Sequence, residues 1–401
     1  MSASILYHCF GVSKIKYVKT EFGKSRAIFS IQLKEKICSR CQSSQVIQKG
    51  KKYRMLKTVP IGNRAVFIRL EIRRLYCYDC GCTAQESIEH IASFKKHYTR
   101  KLEKYIHSLS SIMTIQDISN LLKMNWNTLW DIISRQLEKF VPRPRDLRKL
   151  QWIGIDEVSY KKGHQYLTVV VDHLTGRVVH VARGRGEQSI YAFFKRLKRL
   201  KAPLEVVTCD MWSPYLSVVN KFFPDIHIIY DKFHIVNNLN KAIDELRRKE
   251  FHLNKQMDPH IIKGTRFILL KRSYKLGSEA KEKLAKLFHI NKTLATAYEL
   301  KEMLFQLWEC KDVPSAELFL HSWCQMVYKS LINPLIKNAN SLLTHLKAVL
   351  NYFKYPMTNA RTEGINNKIK TLKKQAYGFR NMNNFLLKIY SIHKSRYALI
   401  G

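Results

Sequence analysis

The chain has 401 residues, with 70 Lys and Arg against 31 Asp and Glu, a formal net charge of +39 at pH 7. Hydrophobic residues make up 46% and aromatic residues 11% of it. That is enough apolar material for cores in two or three domains, and too much for wholesale disorder. No run of about 18 apolar residues occurs, so the sequence offers no membrane-spanning helix.

The basic residues are spread along the chain, not gathered in a tail. A polyanion is the simplest partner for such a surface, because each Lys or Arg that neutralises a phosphate releases a condensed counterion. Nucleic acid fits better than an anionic membrane, since no basic amphipathic helix stands alone. The nine cysteines cannot all pair internally, and Met1 to Lys24 lacks an apolar leader core. A reducing cytoplasm is expected, where paired Cys-x-x-Cys units point to metal.

Residues 1–98 alternate short strand-like runs, such as Arg64 to Ile72, with cysteine pairs. Cys38-Ser-Arg-Cys41 and Cys77-Tyr-Asp-Cys80 stand 35 residues apart, a gap that can hold a pair of strands. Two such knuckles supply four soft thiolates for a closed tetrahedral Zn²⁺ site, which has no open position and is therefore structural. Cys82 can replace Cys80 or stay outside the site. Cys9, Cys209, Cys310 and Cys324 read as ordinary thiols.

Residues 99–146 read as a helix-turn-helix region and linker. Thr114 can cap one helix and Asn125 the next, around a small core of Ile118, Leu121, Leu122, Leu129 and Ile133. Trp126, Asn127, Thr128 and Arg135 would then belong to the helix that enters the major groove. The usual turn glycine is missing, and Lys123 sits near that point. Pro142-Arg-Pro-Arg-Asp146 reads as a basic linker that discourages a continuing helix.

Residues 151–250 read as β-β-β-α-β-α-β-α, which implies a mixed sheet with helices on its faces. The first strand, Gln151 to Asp156, and the fourth, Leu204 to Asp210, each end in an acid. If those strands lie parallel and adjacent, Asp156 and Asp210 meet at the carboxyl edge, where hard oxygens suit Mg²⁺ or Mn²⁺. A pair of such ions can serve phosphodiester chemistry. Glu363, which shares a helix face with Asn366, Asn367 and Lys370, is the candidate third carboxylate. His234, with Asp231 in support, can position phosphate or a metal-held water. His164 and His173 read as turn and strand residues without chemistry. Residues 251–355 read as helical, and 356–401 as a further helical segment that returns Glu363 to the sheet.

Several blocks resemble the ISL-three family of bacterial insertion-sequence transposases. They are Ile153-Gly-Ile-Asp-Glu-Val-Ser-Tyr-Lys-Lys-Gly-His-Gln-Tyr166, Cys209-Asp-Met-Trp-Ser-Pro-Tyr215, Tyr230-Asp-Lys-Phe-His-Ile-Val236, Thr358 to Lys370 and Tyr377-Gly-Phe-Arg-Asn381, in that order. The knuckles and helix-turn-helix fit the family's domain order. The resemblance implies a multidomain α/β protein: a zinc-ribbon-like module, a helix-turn-helix, then a ribonuclease-H-like catalytic domain interrupted by an all-α insertion. It implies a DDE triad of Asp156, Asp210 and Glu363 using two Mg²⁺ (or Mn²⁺) ions, binding of the element's terminal inverted repeats, DNA cleavage and strand transfer. Asp231 and His234 match a (Cys/Asp)-x-x-His signature of several DDE families. Lys368, Lys370, Lys373, Lys374 and Arg380 would hold the DNA backbone. Bringing two element ends together calls for a homodimer or higher assembly on double-stranded DNA, in the bacterial cytoplasm at the nucleoid and away from membranes. The rivals are a DNA-binding repressor or inactivated transposase with a dead catalytic domain, and a structure-specific nuclease on the same fold.

Overall fold

The computed structural model describes residues 3–161, 163–211, 213–253, 263–379 and 381–394. Trp212 and Arg380 lie outside them. Two compact units divide the chain. One comprises Met1–Phe140, Lys374–Lys388 and Lys394–Gly401, the other Val141–Lys373 and Ile389–His393. Among the described residues no helix is long and apolar enough to cross a membrane.

The first unit starts with helix α1 (Ala3–Phe10) and a five-stranded sheet: β1 (Ile15–Phe22), β2 (Arg26–Leu33), β3 (Val46–Ile61), β4 (Arg64–Cys77) and β5 (Thr83–Gln85). The order is β1-β2-β4-β3 with β5 also on β4, and only β2 and β4 run parallel. The gap between the cysteine pairs is filled by the β3–β4 hairpin, which turns at Gly62 (φ 56°), a left-handed conformation that glycine adopts without strain. Alternation along β4 buries Val66, Ile68, Leu70 and Ile72 with Phe29 and Ile31 of β2 and Leu6 and Phe10 of α1. Arg73 is buried against Glu86, with Nε 2.9 Å from the carboxylate, and donates to the Leu33 and Glu35 carbonyls at 3.0 and 2.8 Å.

Three helices follow, α2 (Arg100–Leu109), α3 (Ile115–Leu122) and α4 (Trp126–Leu137). Thr99, Thr114 and Asn125 accept from first-turn amides, and Thr114 forms a reciprocal capping box with Asp117. Lys123 ends α3 in the left-handed region (φ 46°, ψ 54°), doing the work of the missing glycine. Its carbonyl and that of Leu122 accept from Lys57 of β3, so the sheet caps the helix end. Leu102, Ile106, Ile118, Leu122, Leu129 and Ile133 form the core; Leu121, expected there, is exposed.

The second unit opens on the segment read as a linker. Pro144–Leu147 is a short helix, α5, with its proline at the first position, where a missing N–H costs nothing. Its sheet contains β6 (Trp152–Lys161), β7 (Gln165–Asp172), β8 (Val178–Arg183), β9 (Val206–Cys209) and β10 (His227–Tyr230) in the order β10-β9-β6-β7-β8. β6, β7 and β8 are antiparallel neighbours, whereas β9 and β10 run parallel to β6. Helices α6 (Glu187–Arg199), α7 (Ser213–Phe222) and α8 (Lys232–Leu253) alternate with the later strands. Ile190, Phe193, Phe194 and Leu197 of α6 pack with Ile153, Ile155, Val170 and Val207 of the sheet.

A helical stretch follows: α9 (Arg266–Leu270), α10 (Ser278–Ile290), α11 (Lys292–Leu304), α12 (Val313–Lys329), α13 (Asn333–Thr344) and α14 (Leu346–Lys354). Its core centres on Trp323, fully buried with Nε1 donating to the Leu300 carbonyl at 2.8 Å. The chain then forms α15 (Ala360–Gln375) and α16 (Met382–Ser391). The segment read as one return to the catalytic core divides instead, since residues 374–388 belong to the first unit. There Leu387 joins the α2–α4 core and the buried Lys388 ammonium faces the Ser110 carbonyl at 3.4 Å.

Candidate active site

Strand register builds the site. Trp152 of β6 lies beside Val206 of β9, and Gly154 beside Thr208. Two residues further on, the same parallel register brings Asp156 level with Asp210 on one face of the sheet. The fourth strand does stop there, with Cys209 its last residue. The first does not: β6 continues past Asp156 to Lys161, because β7 is long enough to pair with it.

β10 ends at Tyr230, and Asp231 opens α8 by accepting from the Phe233 amide at 3.2 Å. His234 follows in the first turn, its Nε2 2.7 Å from Asp210 Oδ1. One donor atom each from Asp156, Asp210 and His234 lies within 4.8 Å of the others. Asp156 Oδ1 accepts from the Glu157 amide and Oδ2 from Asn366 Nδ2, both at 2.7 Å. Burial, and then the Asp210 charge, push the Asp156 carboxyl up to about 6. Burial alone would lower His234, yet the neighbouring Asp210 carboxylate raises it on balance.

Glu363 stands in the first turn of α15, exposed and outside that close trio. Its charge is felt at Asp231, whose carboxyl burial already raises. The contact from α15 to Asp156 is made by Asn366, three residues along. Glu157, a half-buried carboxyl raised by burial, was not singled out by the sequence.

The start of α15 is fixed by groups whose role the sequence did not reveal. His173 Nε2 meets Thr208 Oγ1 at 2.7 Å, and Thr208 donates to Asn359 Oδ1 at 3.1 Å. Arg361 donates to the carbonyls of His173 and Leu174. Burial drives the His173 ring down to about 4, so it is neutral in this network. Gly154 makes the approach possible. A Cβ there would stand at or within 2.8 Å of Thr362 Oγ1, Asn359 Oδ1 and His173 Nε2. His173, read as chemically idle, is thus a structural tie between the sheet and α15.

In the first unit, the Cys38–Cys80 and Cys41–Cys77 sulfurs are 3.7 and 3.5 Å apart, and all four lie within 4.8 Å of one another. Arms of about 2.3 Å give a thiolate tetrahedron edges of about 3.8 Å, so the set fits Zn²⁺. Cys82 faces Arg40 instead, at 3.2 Å. The amides of Cys41 and Arg40 hold the Cys38 thiol down to about 6.

Of the residues expected to read DNA, Trp126 and Asn127 are exposed and Thr128 is half-buried. Arg135 is half-buried. Its guanidinium contacts the Tyr98 hydroxyl at 2.8 Å and the carboxylates of Glu103 and Asp131 at 3.3 Å, tying α4 to α2. Lys370 and Lys374 are exposed on α15, with Lys368 and Lys373 half-buried; Arg380 lies outside the described residues.

Residues 153–389 match the family profile described as "Transposase" of the DDE ISL3 type. Residues 34–80 match the "zinc-finger of transposase IS204/IS1001/IS1096/IS1165". The chain is 28% identical over 389 residues to the "Transposase for insertion sequence element IS1001" of Bordetella parapertussis, covering 95% of this chain and 94% of that one. It is 27% identical over 374 residues to the "Transposase for insertion sequence element IS1557" of Mycobacterium tuberculosis, covering 86% and 82%. The "Drosophila P element transposase strand transfer complex" aligns with a TM-score of 0.36 at 13% identity, covering 77% and 93%. At that score the likeness carries no weight for fold or function.

Proposed function

The chain belongs to the ISL-three transposase family, and from that premise we propose that it binds the terminal inverted repeats of its own insertion sequence, cleaves DNA there and joins the ends to target DNA. The observation that carries the reading is the β6–β9 register, which sets Asp156 beside Asp210 while the helix bearing Glu363 reaches Asp156 through Asn366. An antiparallel trio, β6 to β8, on one side of the sheet and two strands parallel to β6 on the other support a ribonuclease-H-like domain.

The carboxylates fit a hard divalent cation. Asp156 and Asp210 repel one another, and a bound ion would relieve that repulsion. Asp156, Asp210 and Glu363 would hold Mg²⁺ or Mn²⁺, whose chemistry is to stabilise charge on the attacking and leaving oxygens of a phosphodiester. The chain's own residues orient the reacting strand. Asn366 fixes one Asp156 oxygen, His234 fixes Asp210, and the α15 lysines hold phosphates. In the first step water attacks phosphorus, the P–O3′ bond breaks, and the 3′-oxygen leaves as a hydroxyl. In the second, that hydroxyl attacks a target phosphorus and loses its proton, while the target 3′-oxygen departs and takes one up. No covalent protein intermediate forms.

The four-cysteine ribbon supports structural Zn²⁺. With α3 and α4 it supplies sequence reading, and two or more chains pair the element ends on the bacterial chromosome. Nicking of a plasmid carrying the element end, with Mg²⁺, tests the reading. Wild type should nick beside the repeat and Glu363→Gln should bind but not nick. Repeat-specific binding without nicking by wild type, in Mg²⁺ or Mn²⁺, would favour a repressor instead.

A further inference from the structure

Within the first unit, a cavity of about 590 Å³ opens between the α3–α4 pair and residues 376–379 and 381–388. Four aromatic rings line it, Trp126, Trp130, Tyr377 and Phe379, together with the amides of Gln116 and Asn384. The tryptophans stack at 6.3 Å and 24°, and Phe379 stacks on Phe385 at 4.6 Å and 24°. Tyr377 is 97% exposed, at φ 50° just before Gly378 at φ 103°. Two successive left-handed residues make a sharp bend that sets the ring at the rim.

We propose that this cavity receives a single unstacked base of the bound DNA. The occupant follows from three features of the wall. Flat rings accept any base face, and stacking needs no sequence match. The side-chain amides of Asn384 and of Gln116, whose Nε2 also donates to Asn120 Oδ1 at 3.1 Å, carry donors and acceptors of the kind a base edge pairs with. Trp126 both opens α4 and lines the cavity, so DNA held at the start of α4 brings its bases to the mouth, and the +39 chain supplies the attraction for the strand. Enzymes that handle a base outside the helix must offset its unstacking, and an aromatic pocket does so. The inference rests on the DNA-binding reading above and adds a site to it.

The test uses the full chain and labelled duplexes of the element end. One duplex is fully paired; the others each carry one abasic site, moved stepwise, that leaves the opposing base unpaired. Wild type should bind one position of the series about tenfold more tightly than the paired duplex. A fluorescent adenine analogue at that unpaired base should be quenched on binding. Tyr377→Ala should erase the preference and Tyr377→Phe should keep it, both with unchanged affinity for the paired duplex. Since Tyr377 is 97% exposed, folding is not at stake. Paired-duplex binding without any position preference, or a preference that survives Tyr377→Ala, overturns this site alone. Absence of all duplex binding overturns the DNA-binding reading and this site with it.

Discussion

Adding one methyl group at Gly154 should disable the protein without unfolding it. The new Cβ would meet Thr362 Oγ1, Asn359 Oδ1 and His173 Nε2 at or within 2.8 Å, and ordinary contact starts at 3.4 Å. All three partners are buried, so none can swing away. Relief requires the strand and the α15 start to part by at least about 0.6 Å, the difference between those two distances, and by more at Thr362, the closest of the three. Overpacking of this kind costs about 1–3 kcal/mol, a fall in Tm of about 2–12 °C for a unit this size. The same shift carries Glu363 and Asn366 away from Asp156. Because a displacement of 1 Å can cost about a hundredfold in rate, strand transfer should fall about tenfold or more. Thermal melting and a strand-transfer assay on Gly154→Ala measure both effects. Gly364→Ala, in the same helix with open space around its Cβ, is the control; it should gain about 0.5–1 kcal/mol and stay active. A Gly154→Ala protein matching wild type in both Tm and rate would refute the close-docking argument.

Further tests address the remaining parts. Lys123→Gly should raise stability by about 0.5–1 kcal/mol in a melt, since it relieves a left-handed residue; a loss of stability would contradict that. Cys80→Ser should lower bound zinc and loosen the first unit in circular dichroism, whereas Cys82→Ser should keep full zinc content by metal analysis. His173 is held at about 4 against an ordinary 6.5, so the unfolded chain binds the extra proton. Its contribution is complete above pH 6.5 and is lost as the pH falls toward 4, by about 3 kcal/mol at most. His173→Gln should flatten that slope in pH-dependent melts. Asn366→Ala should slow cleavage about tenfold while leaving DNA affinity unchanged, as a gel-shift and a nicking assay would show.

The Asp156–Asp210 pairing could be anticipated because alternating apolar runs locate buried strands and a parallel register then fixes neighbours. The end of β6 could not be, since it depends on how far β7 extends, a tertiary fact. Caps at Thr114 and Asn125 were legible because their hydrogen bonds are local. The partners of Arg135 were not legible for the opposite reason. Its partners Tyr98 and Glu103 lie far along the chain, and an exposed-looking basic residue on a candidate recognition helix gives no sign of them. Gly154 lies in one of the resembling blocks, but nothing in the sequence marked it or His173 as a packing contact; their roles appear only when α15 comes down on the sheet. The division of the C-terminal segment was likewise hidden, because Leu387 meets the distant α2–α4 core only in the folded chain.

The measurement that bears most directly on the account is strand transfer of the element's own terminal repeat into a target plasmid, with Mg²⁺, comparing wild type with Asp156→Asn. Joined products from wild type that vanish in the variant, with repeat binding retained by both, are the predicted result. Joined products that persist in Asp156→Asn would contradict the assignment of Asp156 to the chemistry.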